Sequence, residues 1–153
     1  MSLDKSIFRR YAMKISARNQ ITGKVSEIKN GPVNSEVVIT TDKGDKIVSV
    51  VTHSAVDTLG LKVGSEAICI FKAQSVLLAK ADIALAVSAR NKIKGTVSEI
   101  KDGAVNCEVI ITTPAGLTVT AIVTEDAKKE LSLAKGDTVY AIIKASSILV
   151  GAN

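Results

Sequence analysis

The sequence predicts an all-β protein with short helices, built as two small barrels in tandem, and three observations carry that prediction. The first is a repeat: Ser16 to Ala79 overlays Ser88 to Gly151 at a constant offset of 72 residues, without a gap, and about half of the positions are identical. The second is composition. Apolar residues make up 46% of the chain and aromatics only 3%, so the core must be packed by Val, Ile, Leu and Ala, the first two of which suit strands. The third is the order of patterns within each copy, which reads strand, strand, strand, helix, strand, strand.

Each element has its own local reason. "NQITGKVSEIKNG" alternates apolar and polar residues, which turns Ile21, Val25 and Ile28 inward. It ends at Asn30-Gly31, and the second copy ends at Asp102-Gly103; both pairs predict a two-residue hairpin turn. "SEVVITT" returns as a second strand and turns at "DKGD", or at "PAGL" in the second copy. "KIVSVVT" and "TVTAIVT" are the third strands. A short helix follows, with Ser54 as the expected cap of one copy and Asp126 of the other. "LKVGSE" and "LAKGDT" turn the chain at a Leu-x-x-Gly. The last apolar runs, "AICIFKAQSVLLA" and "VYAIIKASSILVG", predict two strands each, broken around Lys-Ala. This layout is that of an OB-type Greek-key barrel. A unit so small buries little surface, so fusion to its twin and assembly into oligomers are expected to stabilise it.

The expected domains are residues 13–80 and 85–153. Residues 1–12, "MSLDKSIFRRYA", read as a leader or an appended segment before a start at Met13, and "KADIALAV" reads as a strand-like connection that docks. The formal net charge is +5, a mild surplus that suits small anions or solubility as well as DNA. The near absence of aromatics argues against single-stranded nucleic acid, which is gripped by stacking. No apolar run has the length of a membrane span, and no secretory signal is evident. Cys69 and Cys107 have no metal-ligand spacing and fall at non-equivalent repeat positions, so they read as small, partly buried thiols of a reducing cytoplasm. Catalysis is not expected. His53 is the sole histidine, its twin is Glu125, and no nucleophile or phosphate-loop motif is present. Glu27 with Glu99, and Glu36 with Glu108, sit at polar strand positions suited to solvated faces or cross-strand ion pairs.

What both copies keep is rich in hydrogen-bond donors. The set is Ser16-Ala17-Arg18-Asn19, Gly31, Val33-Asn34, Thr52 and Lys72-Ala73-x-Ser75. Its twins are Ser88, Ala89, Arg90, Asn91, Gly103, Val105, Asn106, Thr124, Lys144, Ala145 and Ser147. Positive charge with several N–H and O–H groups is what a small dianion needs to replace its water. Backbone amides around Ala17 or Ala73 can complete such a cage. Surface charges and turn-capping serines explain the same residues without a ligand.

"SARNQITGKVSEIKNGPVNSEVVI", together with the endings "IFKAQSVLLA" and "IIKASSILVG", resembles the Mop domain of molbindins, small bacterial molybdate-binding proteins. Two such domains in tandem resemble a di-Mop molbindin over Met13 to Gly151. The resemblance implies an OB-like fold, a cytoplasmic location, and molybdate or tungstate bound at interfaces between domains of a homotrimer, with no membrane partner. By matching motif, Ser16, Ala17, Arg18, Lys72, Ala73 and Ser75 would form one half-site. Ser88, Ala89, Arg90, Lys144, Ala145 and Ser147 would form the other. Thr52 and Thr124 would reach across from a neighbouring domain, and Asn34 and Asn106 are candidates for a second site near the symmetry axis. Gln20 becomes Lys92 and Gln74 becomes Ser146 beside the proposed cages, so the halves are expected to differ in affinity. The expected function is intracellular storage and homeostasis of the oxyanion. The alternative is an OB-fold nucleic-acid-binding protein, disfavoured by the missing aromatics.

Overall fold

The computed structural model describes residues 15–81 and 86–152. The expected leader, the start at Met13 and the centre of the connection at 82–85 lie outside the described residues. The first repeat runs β1 (Asn19–Asn30), β2 (Asn34–Thr41), β3 (Lys46–Thr52), α1 (His53–Leu59), β4 (Glu66–Phe71), a 3₁₀ turn (Ala73–Ser75) and β5 (Leu77–Lys80). The second runs β6 (Asn91–Lys101), β7 (Asn106–Thr112), β8 (Thr118–Thr124), α2 (Glu125–Glu130), β9 (Thr138–Ile143), a 3₁₀ turn (Ala145–Ser147) and β10 (Leu149–Ala152). None of the described helices is long and apolar enough to cross a membrane.

The strands form two five-stranded antiparallel sheets, ordered β10-β4-β1-β2-β3 and β5-β9-β6-β7-β8. The last strand of each repeat has therefore crossed to the other's sheet. β10 pairs with β4, Leu149 opposite Ile70 and Ala152 opposite Ala67, while β5 pairs with β9, Leu77 opposite Ile142 and Lys80 opposite Val139. The 3₁₀ turns that follow Lys72 and Lys144 make this crossing, at the Lys-Ala breaks the sequence marks.

β1 is long because it serves two partners. Its first half pairs with β4 and its second with β2, and the register slips by one residue between Val25 and Glu27; β6 does the same between Val97 and Glu99. Such a bulge bends the strand and increases its twist, as barrel closure requires. The alternating pattern buries Ile21 and Val25, whereas Ile28, beyond the bulge, only packs against the core margin. Val37, Ile39, Ile47, Phe71 and Val76, with their twins Val109, Ile111, Val119, Ile143 and Ile148, make one continuous hydrophobic core.

Two local expectations are corrected. The β1–β2 connection is not a two-residue turn: Asn30 pairs with Ser35, and the Gly31 N–H donates to the Asn34 carbonyl at 2.9 Å. Gly31 does not have positive φ. It is required because a Cβ there would lie 2.5 Å from the Asn34 carbonyl oxygen, and Gly103 meets Asn106 in the same way. The helix caps are Thr52 and Thr124, whose hydroxyls accept from the Ala55 and Ala127 N–H groups at 3.1 and 3.0 Å, rather than Ser54 and Asp126. The chain enters each helix straight from a strand, so the strand's last residue, still extended, is the one placed to cap.

Candidate functional site

The repeated "SARN" ends where β1 and β6 begin, and its asparagine explains part of its recurrence. Asn19 and Asn91 are each 3% exposed. Asn19 Nδ2 donates to the Thr120 carbonyl and Oδ1 accepts from the Thr120 N–H, both at 2.8 Å. Asn91 does the same with Val48, also at 2.8 Å on both sides. Val48 and Thr120 lie on β3 and β8, the outer strands of the two sheets. A carboxamide carries a donor and an acceptor side by side, so it imitates a neighbouring strand for one residue and satisfies both backbone groups. The sequence singles out these asparagines as retained, but no signal in it assigns them this role.

The arginines beside them also reach the other repeat. Arg18 pairs with Glu108 at 2.9 Å, and Arg90 grips Glu36 with two bonds of 2.5 and 2.8 Å. Glu36 and Glu108 thus hold ion pairs between repeats, in keeping with their polar strand positions. The arginines are about half exposed, so these pairs orient the guanidinium groups more than they stabilise the fold.

The crossing of the last strands assembles two clefts from both repeats. The first, of about 310 Å³, is lined by Ser16, Ala17, Lys72 and Ser75, and by Ser147 and Leu149 of the second repeat. The second, of about 630 Å³, is lined by Ser88, Ala89, Arg90, Lys144, Ala145 and Ser147, and by Val50 and Ser75 of the first repeat. Ser75 and Ser147 line both. Among the described residues no carboxylate pairs with Lys72 or Lys144, so each cleft holds an exposed, uncompensated ammonium beside several hydroxyls. Ala73 lies buried beneath the first cleft's turn, and Arg18, Thr52 and Thr124 lie outside both linings. Thr52 and Thr124 stand opposite Asn34 and Asn106 in the β2–β3 and β7–β8 ladders, so these four residues form two pairs at the hairpin ends. Val50, two residues before Thr52, carries that strand to the second cleft.

The two halves differ next to the clefts. Gln20 Nε2 donates to the carbonyls of Ile15 and Ala17, both at 3.2 Å, and so ties down the loop carrying Ser16. Lys92, its twin, is exposed and lacks that pair of bonds. Both cysteines are buried and free, and burial pushes the Cys69 thiol up to about 12, which leaves it uncharged and unreactive.

The crossed strand β5 is anchored at its end by Lys80, which donates to Asp137 at 2.7 Å and to the Ser132 carbonyl at 3.1 Å. The Lys80 bond, and secondarily a bond from the Ala134 N–H, hold the Asp137 carboxyl below the ordinary carboxylate range. A carboxyl depressed in the folded state contributes stability above its unfolded pKa of about 3.9, and the contribution is lost as pH falls through the folded value. Lys80→Met is therefore expected to raise the Asp137 midpoint in an NMR titration, though not to the free value because Ala134 remains. The stability difference between variant and parent should be present at neutral pH and vanish in acid. An unmoved midpoint would show that Ala134 alone sets it.

A TOBE domain profile matches residues 15–78 and 87–150. The chain is 42% identical over 144 residues to the molybdenum transport protein ModE of Herbaspirillum seropedicae, covering 94% of this chain and 54% of that protein. It is 32% identical over 142 residues to the DNA-binding transcriptional dual regulator ModE of Escherichia coli K12, covering 92% and 53%. The chain thus spans about half the length of these curated relatives. Among solved structures it superposes on the cytoplasmic molybdate-binding protein ModG, determined with molybdate bound, with a TM-score of 0.88 and 43% identity over 92% of this chain and 100% of that one. Two family matches that together account for most of the chain, each on one copy of the repeat, make this protein a member of the TOBE-domain family, with two such domains in tandem.

Proposed function

We propose that this protein reversibly binds a tetrahedral oxyanion, molybdate or tungstate, at the two clefts, and serves its storage and homeostasis in the cytoplasm. The observation that carries this reading is the pair of clefts, each with a lysine that no carboxylate among the described residues pairs and with serine hydroxyls from both repeats. A solved relative with 43% identity holds molybdate, which supports the choice of anion. The anion is held by charge and hydrogen bonds, and no bond in it is made or broken. The homotrimer remains part of the proposal: it would bring Thr52, Thr124, Asn34 and Asn106 of one chain towards the clefts or the axis of another.

Calorimetric titration of the ligand-stripped protein with molybdate tests this, with tungstate, sulfate and phosphate alongside. Tight binding of molybdate or tungstate with little heat from sulfate is expected. Lys144→Ala removes one charge-assisted bond, so it should weaken the second cleft by roughly 10- to 100-fold and leave the first unchanged. Equal binding of sulfate and molybdate, or an unchanged isotherm in Lys144→Ala, would overturn the assignment. Because one relative is a DNA-binding regulator, nucleic acid stays among the partners to be assayed, with a steep loss of affinity in salt as its signature.

A further inference from the structure

The hairpin end of the second repeat carries a cluster that the oxyanion clefts do not use. Asp102 lies just beyond β6, Cys107 is on β7 and Glu125 opens α2. One ligand atom from each, the thiol sulfur and two carboxylate oxygens, lie within 4.8 Å of one another. Cys107 is only 2% exposed and makes no hydrogen bond among the described residues. Glu125 Oε2 is shut off from solvent and has no hydrogen-bond partner among the described residues. A buried, unpartnered carboxylate oxygen is costly, and a bound ion is one of the few things that satisfies it.

The first repeat supplies the contrast. The equivalent positions there are Asn30, Ser35 and His53. The Ser35 hydroxyl donates to Asn30 Oδ1 at 2.9 Å and lies 3.5 Å from His53 Nδ1, so that trio is tied together by its own hydrogen bonds and contains no carboxylate. In the second repeat the same three places hold two carboxylates and a thiol, with Lys128 bonded to Asp102 and 3.4 Å from Glu125. One ammonium does not balance two carboxylates; a divalent cation that displaces the thiol proton makes the group neutral.

We propose that Asp102, Cys107 and Glu125 form a site for a thiophilic divalent cation of the zinc class. A sulfur and two oxygens suit zinc, whose bonds of about 2.0–2.3 Å require a modest inward swing of the exposed Asp102. Water fills the fourth position. On binding, the Cys107 thiol gives its proton to solvent and its sulfur lone pair to the metal, with no change of oxidation state. The site belongs to the second repeat alone, so it sets one metal per chain.

The test is titration of the intact, metal-free protein with cadmium chloride, read by the ultraviolet thiolate-to-cadmium charge-transfer band, and with zinc chloride, read by calorimetry. Each variant places the residue of the other repeat at the equivalent position, so the fold is known to accept it there: Cys107→Ser, Asp102→Asn and, as a control, Cys69→Ala. One cadmium per chain is expected, with a band abolished in Cys107→Ser and kept in Cys69→Ala. Zinc affinity should fall by roughly tenfold or more in Asp102→Asn, since even loss of an outer-shell partner of a metal ligand commonly costs that much. No band, a band that survives Cys107→Ser, or zinc uptake indifferent to Asp102→Asn would overturn the proposal.

Discussion

Asn91→Ala should destabilise the protein by about 2–5 kcal/mol, because it leaves the part-buried N–H and carbonyl of Val48 without their partner and also removes the bond to the Ile143 carbonyl, rather than deleting one contact. The Val48 N–H and carbonyl both point out of their sheet to the Asn91 carboxamide, which is itself 3% exposed. Truncation removes the amide that all of these backbone groups share. The urea midpoint should fall sharply at an unchanged slope. Asn19→Ala should behave alike through Thr120. A loss below about 1 kcal/mol would mean that water takes the amide's place.

Removal of residues 149–152 should have an unequal effect on the two barrels. It deletes β10, the outer strand on β4, and with it the pairs Leu149–Ile70, Val150–Cys69, Gly151–Ile68 and Ala152–Ala67. Several ladder hydrogen bonds, each contributing about 0.5–1.5 kcal/mol net, go together with the cover over buried Ala67 and Cys69. Amides of β4 should then exchange with deuterium many times faster, while those of β9, still paired with β5, keep most of their protection. The deletion is in the second repeat and the damage is expected in the first sheet. Faster exchange confined to β9 would contradict the strand assignment.

Much of this fold is legible in the sequence. The 72-residue offset, the period-two runs and the Lys-Ala breaks place every strand. The crossing of β5 and β10 is not legible, and the reason is the repeat itself. "LLAK" and "LVGA" are twins, so the sequence alone does not say which lies beside β4 and which beside β9. The hairpin was misread because Asn-Gly announces a glycine without saying which of its properties is needed. At Gly31 it is the absence of a Cβ against Asn34, not positive φ. As for the site, Ser16, Lys72 and Ser75 stand out in the sequence as shared donors. That Ser75 also lines the cleft of Ser88, and Ser147 that of Ser16, follows only from the crossing. The cation cluster left no trace in spacing, since its members at 102, 107 and 125 meet through hairpin and helix.

The exchanged strands also govern when the molecule can come into being. During synthesis the first barrel emerges with β4 bare along one side, and the strand that covers it is made only after nearly the whole second copy. Neither half can finish folding as a unit on the ribosome, and the closing contacts join residues some 80 positions apart, such as Cys69 and Val150. Pairings so distant in sequence form slowly. The nascent chain therefore carries an open sheet edge along β4 until β10 has been made, and an open edge of that kind invites pairing with other chains.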